Sequence, residues 1–260
     1  MAYIEMNYKS ESLNREVSLQ VILPSHEGFG NDRYPCKTLY FLHGINGNAQ
    51  ELTRFLQFTV QSLLKGIAIV LCNGENSFYA DRGDGLSNYR KFVEEELVQV
   101  TRAIFPLSDK REDTFIGGIS MGGHGALVTG LSKPETFSKI AVLSPCIDFY
   151  DVAVGEESPI PVKALDMIYG SREAYMQSDR CCVGALERTL SKGEKLPEIL
   201  IGCGTEDPLI YDQQRDFAAM LLEKGIQVEH VETKGAHDIF LWQELLGCMF
   251  DFLTGEGGAL

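Results

Sequence analysis

A serine between two glycines, in the segment Gly118 to Gly122 (sequence GISMG), is the feature of this chain that most clearly predicts chemistry. The run Asp113 to Gly117 before it is typical of a buried strand, and the run Ala126 to Leu131 after it favours a helix that ends before Pro134. Strand, sharp turn and helix together form a nucleophile elbow, because the glycines let the backbone turn tightly enough to expose the serine hydroxyl. The alternative is a glycine-rich turn whose serine only caps the helix. We expect Ser120 to be a nucleophile.

A serine nucleophile needs a general base, and His237 is the best placed of the five histidines. It lies in the loop Lys234 to Asp238, after a strand predicted at Gln227 to Glu232, so it would emerge at the sheet edge where the elbow also opens. The other histidines fall in an early loop, at a strand end, in the helix after the elbow and within a strand: His26, His43, His124 and His230. We therefore expect His237 to be the base.

The acid that orients the base should lie between the serine and the histidine in the chain and should also follow a strand. A strand predicted at Glu198 to Cys203 is followed by two carboxylates, Glu206 and Asp207. We choose Asp207, because Pro208 restricts it to an extended backbone that can direct a short carboxylate across the strand ends. We expect Glu206 to be a solvated loop charge.

Backbone amides that could stabilise an oxyanion are predicted at two places. The segment Phe41 to Asn48 follows a strand, and its two glycines allow the amide of Ile45 to point inward. The amide of Met121 follows the nucleophile at the positive end of the next helix. We expect His43 to be a structural residue that fixes the first of these loops.

Strand-like and helix-like runs alternate along the chain, which predicts a mostly parallel central sheet with helices on both faces. The predicted strands cover Glu16 to Leu23, Thr38 to Leu42, Ile67 to Cys72, Asp113 to Gly117, Lys139 to Leu143, Glu198 to Cys203 and Gln227 to Glu232. Besides the elbow helix, the predicted helices cover Asn48 to Lys65, Tyr89 to Phe105, Asp212 to Lys224 and Asp238 to Leu253. The segment Pro145 to Pro197 interrupts this alternation, because it contains no clear strand-like run. We expect one domain, residues 1–260, with a lid-like insertion at about 145–197.

The charge and cysteine content limit the partners and the compartment. A balance of 23 basic against 37 acidic residues gives a net charge of −14, which repels phosphate backbones and anionic membrane surfaces. The chain begins without an export-signal pattern, and no stretch approaches the roughly 18 apolar residues of a membrane span. Seven cysteines without a Cys-x-x-Cys pair predict neither a zinc site nor a disulfide framework. We expect a cytoplasmic protein with a small-molecule substrate and no nucleic-acid or membrane partner; self-association into a homo-oligomer is left open.

A superficial likeness to a calcium loop lies at Tyr79 to Gly85, but Gly83 stands where a ligand would be needed. We therefore expect no metal and no cofactor. Phe78 and Tyr79 follow a strand and are candidates for the lining of a substrate pocket, as is the single tryptophan, Trp242.

Together these motifs resemble the esterase D-like group of α/β-hydrolases, and within it the bacterial tributyrin esterases. The shared motifs are His43-Gly44-x-x-Gly47-Asn48, the acidic helix Tyr89 to Pro106, Gly118 to Gly123, Gly204 to Asp207 and Gly235-x-His237-Asp238. The resemblance extends from about Val17 to Phe252 and implies an α/β-hydrolase fold. It also implies Ser120 as nucleophile, Asp207 as acid, His237 as base, and the amides of Ile45 and Met121 as oxyanion donors.

The resemblance implies a serine carboxylesterase that hydrolyses short-chain acyl esters through an acyl-enzyme. The group also includes feruloyl and cinnamoyl esterases, acetylxylan esterases and S-formylglutathione hydrolases. Deacetylation or feruloyl ester hydrolysis of plant-polysaccharide fragments, or thioester hydrolysis, is therefore the alternative, while an acyltransferase or a non-catalytic binding module fits less well. Leu52 and Ile239 stand where relatives often carry tryptophan, so stacking on a cinnamoyl ring should be weak. A lid at 145–197 would also narrow the acyl pocket.

Overall fold

An eight-stranded sheet forms the centre of the described part of the chain, which in this computed structural model is residues 1–24, 35–155 and 158–256. The strands are β1 (Ala2–Ser10), β2 (Arg15–Leu23), β3 (Lys37–Leu42), β4 (Ile67–Cys72), β5 (Thr114–Ile119), β6 (Lys139–Leu143), β7 (Glu198–Gly204) and β8 (Val228–Thr233). Across the sheet they lie in the order β1-β2-β4-β3-β5-β6-β7-β8. The pairs β1–β2 and β2–β4 are antiparallel, and every other pair of neighbours is parallel. The predicted mostly parallel sheet is confirmed.

The central strands are apolar on both faces, as parallel strands covered by helices must be. All residues of β4 and β5 are buried. Along β3, Leu39 and Phe41 pack into one core, whereas Tyr40 and Leu42 pack into the core on the opposite face. The sheet therefore separates two apolar layers, and each layer is covered by helices.

The helices are α1 (Ala49–Phe55), α2 (Phe58–Lys65), α3 (Tyr89–Lys91), α4 (Leu97–Ile104), α5 (Met121–Ser132), α6 (Phe149–Ala153), α7 (Val162–Tyr169), α8 (Arg172–Met176), α9 (Cys182–Ser191), α10 (Tyr211–Glu223) and α11 (Ile239–Thr254). A π-helical segment, Phe92–Glu96, joins α3 to α4. Buried residues of α4, α5, α9 and α10 belong to one core, and those of α1, α2 and α11 to the other. Among the described residues, no helix is both long and apolar enough to cross a bilayer.

The helix predicted at Asn48 to Lys65 is two helices, so that prediction is wrong in its continuity. Asn48 caps α1 by accepting a hydrogen bond from the Glu51 amide at 2.8 Å, and α2 ends at Gly66 in the left-handed region, with φ of 68°. Between them Leu56 is extended, and both Leu56 and Phe58 are buried. One straight helix would point residues two positions apart to different faces, so burying both requires the break.

The segment 145–197 carries α6, α7, α8 and α9, and its described residues contain no strand. Its last helix, α9, lies against α5, where the Thr189 hydroxyl donates to the carbonyl of Leu131. This segment therefore covers the helix that follows Ser120, on the face of the sheet opposite to α1 and α11.

Candidate active site

Ser120 occupies the single-residue turn between β5 and α5. Its backbone has φ of 54° and ψ of −118°. Residues other than glycine adopt this backbone conformation at a cost of about 1–3 kcal/mol. Three backbone hydrogen bonds hold it there: the Ser120 amide donates to Leu143 at 3.2 Å, and its carbonyl accepts from His124 and Cys146, both at 3.1 Å. A strained residue that its neighbours fix in this way is common at reactive sites.

The glycines around Ser120 are required by close backbone contacts. A Cβ atom on Gly122 would lie 2.2 Å from the carbonyl oxygen of Leu42, and one on Gly118 would lie 2.4 Å from the carbonyl oxygen of Gly122. Because such distances are impossible for non-bonded atoms, only glycine lets α5 approach the end of β3 this closely. The motif thus places Ser120 against the loop after β3.

Ser120, His237 and Asp207 form one chain of hydrogen bonds. The distance from Ser120 Oγ to His237 Nε2 is 2.9 Å, and that from His237 Nδ1 to Asp207 Oδ2 is 2.7 Å. Because a carboxylate only accepts, Nδ1 carries the proton towards Asp207, which leaves Nε2 free to accept the serine proton. These are the distances that a nucleophile, its base and the orienting acid require.

The two carboxylates after β7 have different surroundings. The Asp207 side chain is fully buried, and its second oxygen, Oδ1, accepts from the Leu209 amide at 3.0 Å. The Glu206 side chain is 57% exposed and lies 3.5 Å from the ammonium of Lys234. The structure therefore brings Asp207, and not Glu206, to His237, whose side chain is 20% exposed.

His43 fixes the loop after β3. Its Nε2 accepts from the Gly74 amide at 2.7 Å, so the proton is on Nδ1, which donates to the carbonyl oxygen of Gly44 at 2.7 Å. Burial lowers the pKa of His43 and keeps the ring neutral. The Gly44 carbonyl and the Ile45 amide belong to one peptide unit. Because this unit is planar and normally trans, the N–H of Ile45 points in the direction opposite to the Gly44 carbonyl that His43 binds.

The loop after β3 and the start of α5 both lie next to Ser120. A Cβ atom on Gly44 would lie 3.3 Å from Cβ of Ser120, so the peptide between Gly44 and Ile45 is close to this serine. Met121 is the first residue of α5, where amides have no intrahelical acceptor and the helix dipole favours negative charge. This arrangement can hold a developing oxyanion.

A cavity of about 350 Å³ lies between the loop after β3, α1 and α11, and its lining includes Ile119, the residue before Ser120. Its apolar wall includes Ile45, Leu52, Ile119, Ile239 and Trp242. The Trp242 ring lies 5.4 Å from the His237 ring in an edge-on contact, and its Nε1 donates to the hydroxyl of Ser144 at 3.2 Å. Among the described residues, none of the segment 145–197 lines this cavity.

The three pocket candidates from the sequence have different positions. Trp242 lines the cavity, whereas Phe78 and Tyr79 do not. Phe78 is buried edge-on against Phe149, with ring centres 4.8 Å apart. The Tyr79 hydroxyl donates to the carbonyl oxygen of His43 at 3.1 Å, so this ring supports the loop from behind. Phe78 and Tyr79 were only candidates for the pocket lining, and in the structure both rings are buried outside this cavity.

Nothing in the sequence indicated the role of Ser144, which follows β6 and contacts Trp242. Ser144 follows β6 with φ of 45°, and its amide donates to the carbonyl of Gly202 at 2.7 Å. Its hydroxyl accepts from Trp242. A lone serine after a strand carries no local signal for such a role, so only the packing of α11 on the sheet identifies it.

The family model described as "Putative esterase" matches residues 10–252 of this chain. The chain belongs to this esterase family. It is a serine ester hydrolase, and its relatives agree in chemistry and in fold.

An acetyl esterase of Caldicellulosiruptor saccharolyticus is 30% identical over 263 residues, which cover 98% of this esterase and 98% of the relative. The substrate-bound structure of fluorophosphonate-binding serine hydrolase F of Staphylococcus aureus matches with a TM-score of 0.87 and 27% identity, over 97% of this chain and 98% of that one. An S-formylglutathione hydrolase of the same organism matches with a TM-score of 0.85 and 27% identity, over the same shares. The α/β-hydrolase fold expected from the motifs is thereby confirmed.

Proposed function

We propose that this esterase hydrolyses esters of short, unbranched acyl groups, with Ser120 as nucleophile, His237 as base and Asp207 as the orienting acid. The observation that carries the proposal is the continuous chain of hydrogen bonds, 2.9 Å and 2.7 Å long, from the serine hydroxyl through the imidazole to the buried carboxylate. Each group has the position and the proton that its role needs.

In the first half of the reaction, His237 Nε2 takes the hydroxyl proton while Ser120 Oγ attacks the ester carbonyl carbon. The charge that develops on the carbonyl oxygen is stabilised by the amides of Ile45 and Met121. The imidazolium, held by Asp207, then gives its proton to the departing alcohol, and an acyl-enzyme remains. In the second half, His237 removes a proton from water, which attacks the acyl carbon; the bond to Ser120 Oγ breaks, His237 returns the proton to Ser120, and the acid is released.

The preference for short acyl groups is supported by the 30% identity to an acetyl esterase over nearly all of both chains. The cavity wall includes the aliphatic side chains of Leu52 and Ile239 as well as the rings of Phe55 and Trp242, so a short acyl chain can pack against it. A relative described as an S-formylglutathione hydrolase favours a second candidate, thioester hydrolysis at the same serine.

We also propose that residues 1–260 form one domain, in which the segment 145–197 acts as a wall next to Ser120. In support, the Cys146 amide holds the Ser120 carbonyl, and α9 lies against α5. The expectation that this segment narrows the acyl pocket finds no support in the cavity beside α11, because none of the described residues of 145–197 lines it.

A cytoplasmic location is part of the proposal and rests on the thiols. Six cysteines are free thiols, and five of these are buried: Cys72, Cys146, Cys181, Cys182 and Cys203, with Cys248 half-buried. Free thiols in such number suit a reducing compartment. The net charge of −14 favours a small-molecule ester over nucleic acid as the partner, and a homo-oligomer stays open.

The proposal is tested by kcat/KM for nitrophenyl acetate, butyrate and octanoate, which share one leaving group, and for methyl butyrate against methyl ferulate. We expect the maximum at acetate or butyrate and methyl ferulate as the poorer methyl ester. A maximum at octanoate, or a preference for ferulate, would contradict the acyl preference. A far higher kcat/KM for S-formylglutathione than for any ester would favour the second candidate.

A further inference from the structure

Three side chains with metal-binding atoms meet at the edge of the sheet, away from the serine. Cys203 Sγ lies 3.5 Å from His230 Nε2, and His230 Nε2 lies 3.9 Å from Glu232 Oε1. All three ligand atoms lie within 4.8 Å of one another. Cys203 is buried, His230 half-buried, and the Glu232 side chain is 38% exposed, so the group is open to solvent on one side.

The strands themselves bring the three residues together. His230 and Glu232 are two positions apart on β8, so their side chains share one face. Cys203 on β7 is paired directly with Glu232 in the parallel register, which places it on the same face. The cluster therefore rests on two regular strands and not on a mobile loop.

The spacing fits a zinc-sized ion. With a Zn–S bond of about 2.3 Å and a Zn–N bond of about 2.0 Å at a tetrahedral angle, the two ligand atoms lie about 3.5 Å apart. The thiol and imidazole of Cys203 and His230 have this separation before any movement. A nitrogen and an oxygen on one zinc ion lie about 3.3 Å apart. Glu232 Oε1 lies 3.9 Å from His230 Nε2, so the partly exposed carboxylate has to move closer to the imidazole when the ion binds.

We propose that Cys203, His230 and Glu232 bind one divalent cation of the zinc class, such as Zn²⁺ or Co²⁺. The thiol loses its proton to solvent on binding, and a thiolate, a neutral imidazole and a carboxylate supply three ligands, with water as the fourth. A mixed set of sulfur, nitrogen and oxygen ligands selects this class over Mg²⁺ or Ca²⁺, which require oxygen ligands.

The position of the ion indicates what binding does. Asp207 follows Cys203 by four residues, and His237 follows Glu232 by five, so one ion would join the two strands that deliver both residues to Ser120. An ion that binds the folded chain alone raises its stability in proportion to the logarithm of the ion concentration over Kd. We expect Zn²⁺ to raise the Tm and a chelator to reverse the rise.

The chain offers a matched control on the opposite face of β8. Cys248 Sγ lies 4.0 Å from Glu229 Oε1, so this pair also joins a thiol to a carboxylate beside β8, but it is not part of the three-ligand cluster. Glu229 and His230 are adjacent in the strand and therefore point to opposite faces. Loss of the Cys248 thiol should leave metal binding unchanged.

The experiment is a Co²⁺ titration of the full chain, followed by the near-ultraviolet absorption of a thiolate–cobalt bond. We expect one equivalent to bind with this band in the wild type and in Cys248→Ser, and the band to vanish in Cys203→Ser. Glu232→Gln changes a partly exposed side chain, so it should fold normally and weaken Co²⁺ affinity by at least about tenfold.

The proposal is overturned if saturating Co²⁺ gives no thiolate band in the wild type. It is also overturned if Cys203→Ser keeps the band, if Cys248→Ser loses it, or if Glu232→Gln binds as tightly as the wild type. The Tm of each variant without metal establishes that it is folded.

Discussion

Two histidines lie beside the elbow in very different surroundings. His237 has a hydroxyl on one ring nitrogen and a carboxylate on the other, and its side chain is 20% exposed. His124 is 1% exposed, and its nitrogens face the carbonyl oxygens of Cys146 at 3.0 Å and Arg180 at 3.2 Å. Its ring packs against Phe149, with ring centres 4.1 Å apart.

The comparison shows that the surroundings, and not the residue type, decide what a histidine can do. A general base must reach the nucleophile, change its charge during the reaction and be stabilised when charged. Asp207 lies 2.7 Å from His237 Nδ1, where a carboxylate could supply that stabilisation. Burial instead lowers the pKa of His124 to about 4, so this ring stays neutral and links the elbow helix to the segment 145–197.

The largest expected effect is the loss of kcat when Ser120 or His237 is replaced. Ser120→Ala and His237→Ala should each lower kcat by on the order of a million-fold, because the three groups act as a unit. His124→Gln should leave a folded enzyme with kcat within about tenfold of the wild type at neutral pH, since its ring touches no reacting atom. Steady-state hydrolysis of nitrophenyl butyrate measures all three. If His124→Gln and His237→Ala are both folded and lose kcat to a similar extent, the two histidines do not differ in the way proposed.

The next effect separates the two neighbouring carboxylates. Asp207→Asn should lower kcat by on the order of ten-thousand-fold, because an amide favours the wrong tautomer of His237. Glu206→Gln, at a side chain that is 57% exposed, should change it little. The kcat of both variants decides the matter, and a larger loss in Glu206→Gln would mean that the other residue is the acid.

The buried histidine should appear in the pH dependence of stability. The pKa of His124 is about 4 in the folded chain against an ordinary 6.5, so between these values only the unfolded chain gains the proton. The free energy of unfolding should therefore fall as the pH drops from about 6.5 to 4, by up to about 3 kcal/mol from this group. Urea unfolding across this window measures it. In His124→Gln the total fall across this window should be smaller by this amount, and an unchanged fall would contradict the assignment.

The smallest effect concerns the cavity wall. Ile239→Trp adds an aromatic ring to the cavity wall and should raise kcat/KM for methyl ferulate relative to methyl butyrate by up to about tenfold, the value of one aromatic contact. Phe240→Trp is the matched control, because Phe240 is the next residue, is 75% exposed and does not line the cavity. An equal gain in both variants would show that the cavity wall does not set this ratio.

The sequence predicted the elements that carry a local signal. Residue patterns around Ser120 predict the strand, the turn and the helix there. The same patterns locate the loops that follow the parallel strands, and these loops carry the candidate acid and histidine in the expected chain order. β1 was missed although Ile4, Met6 and Tyr8 alternate with Glu5, Asn7 and Lys9, the pattern of an edge strand that buries one face.

The remaining features depend on packing between distant segments. The inward turn of Phe78 and Tyr79 follows from backbone φ values of 56° and 51°, which their residue types do not predict. Cys203, His230 and Glu232 come together because β7 pairs with β8 in a particular register. Cys203 is far from the other two in sequence, so no short sequence motif predicts the group. It therefore escaped a search for Cys-x-x-Cys pairs.

The central claim is that His237 activates Ser120 for attack. The most direct test is to map fluorophosphonate adducts by mass spectrometry, and to measure their rate of formation, in the wild type, Ser120→Ala, His237→Ala and His124→Gln. We predict a single adduct on Ser120 in the wild type, none in Ser120→Ala, a severe loss of rate in His237→Ala and a near-normal rate in His124→Gln. An adduct on another residue, or equal rates in the wild type and His237→Ala, would contradict the account.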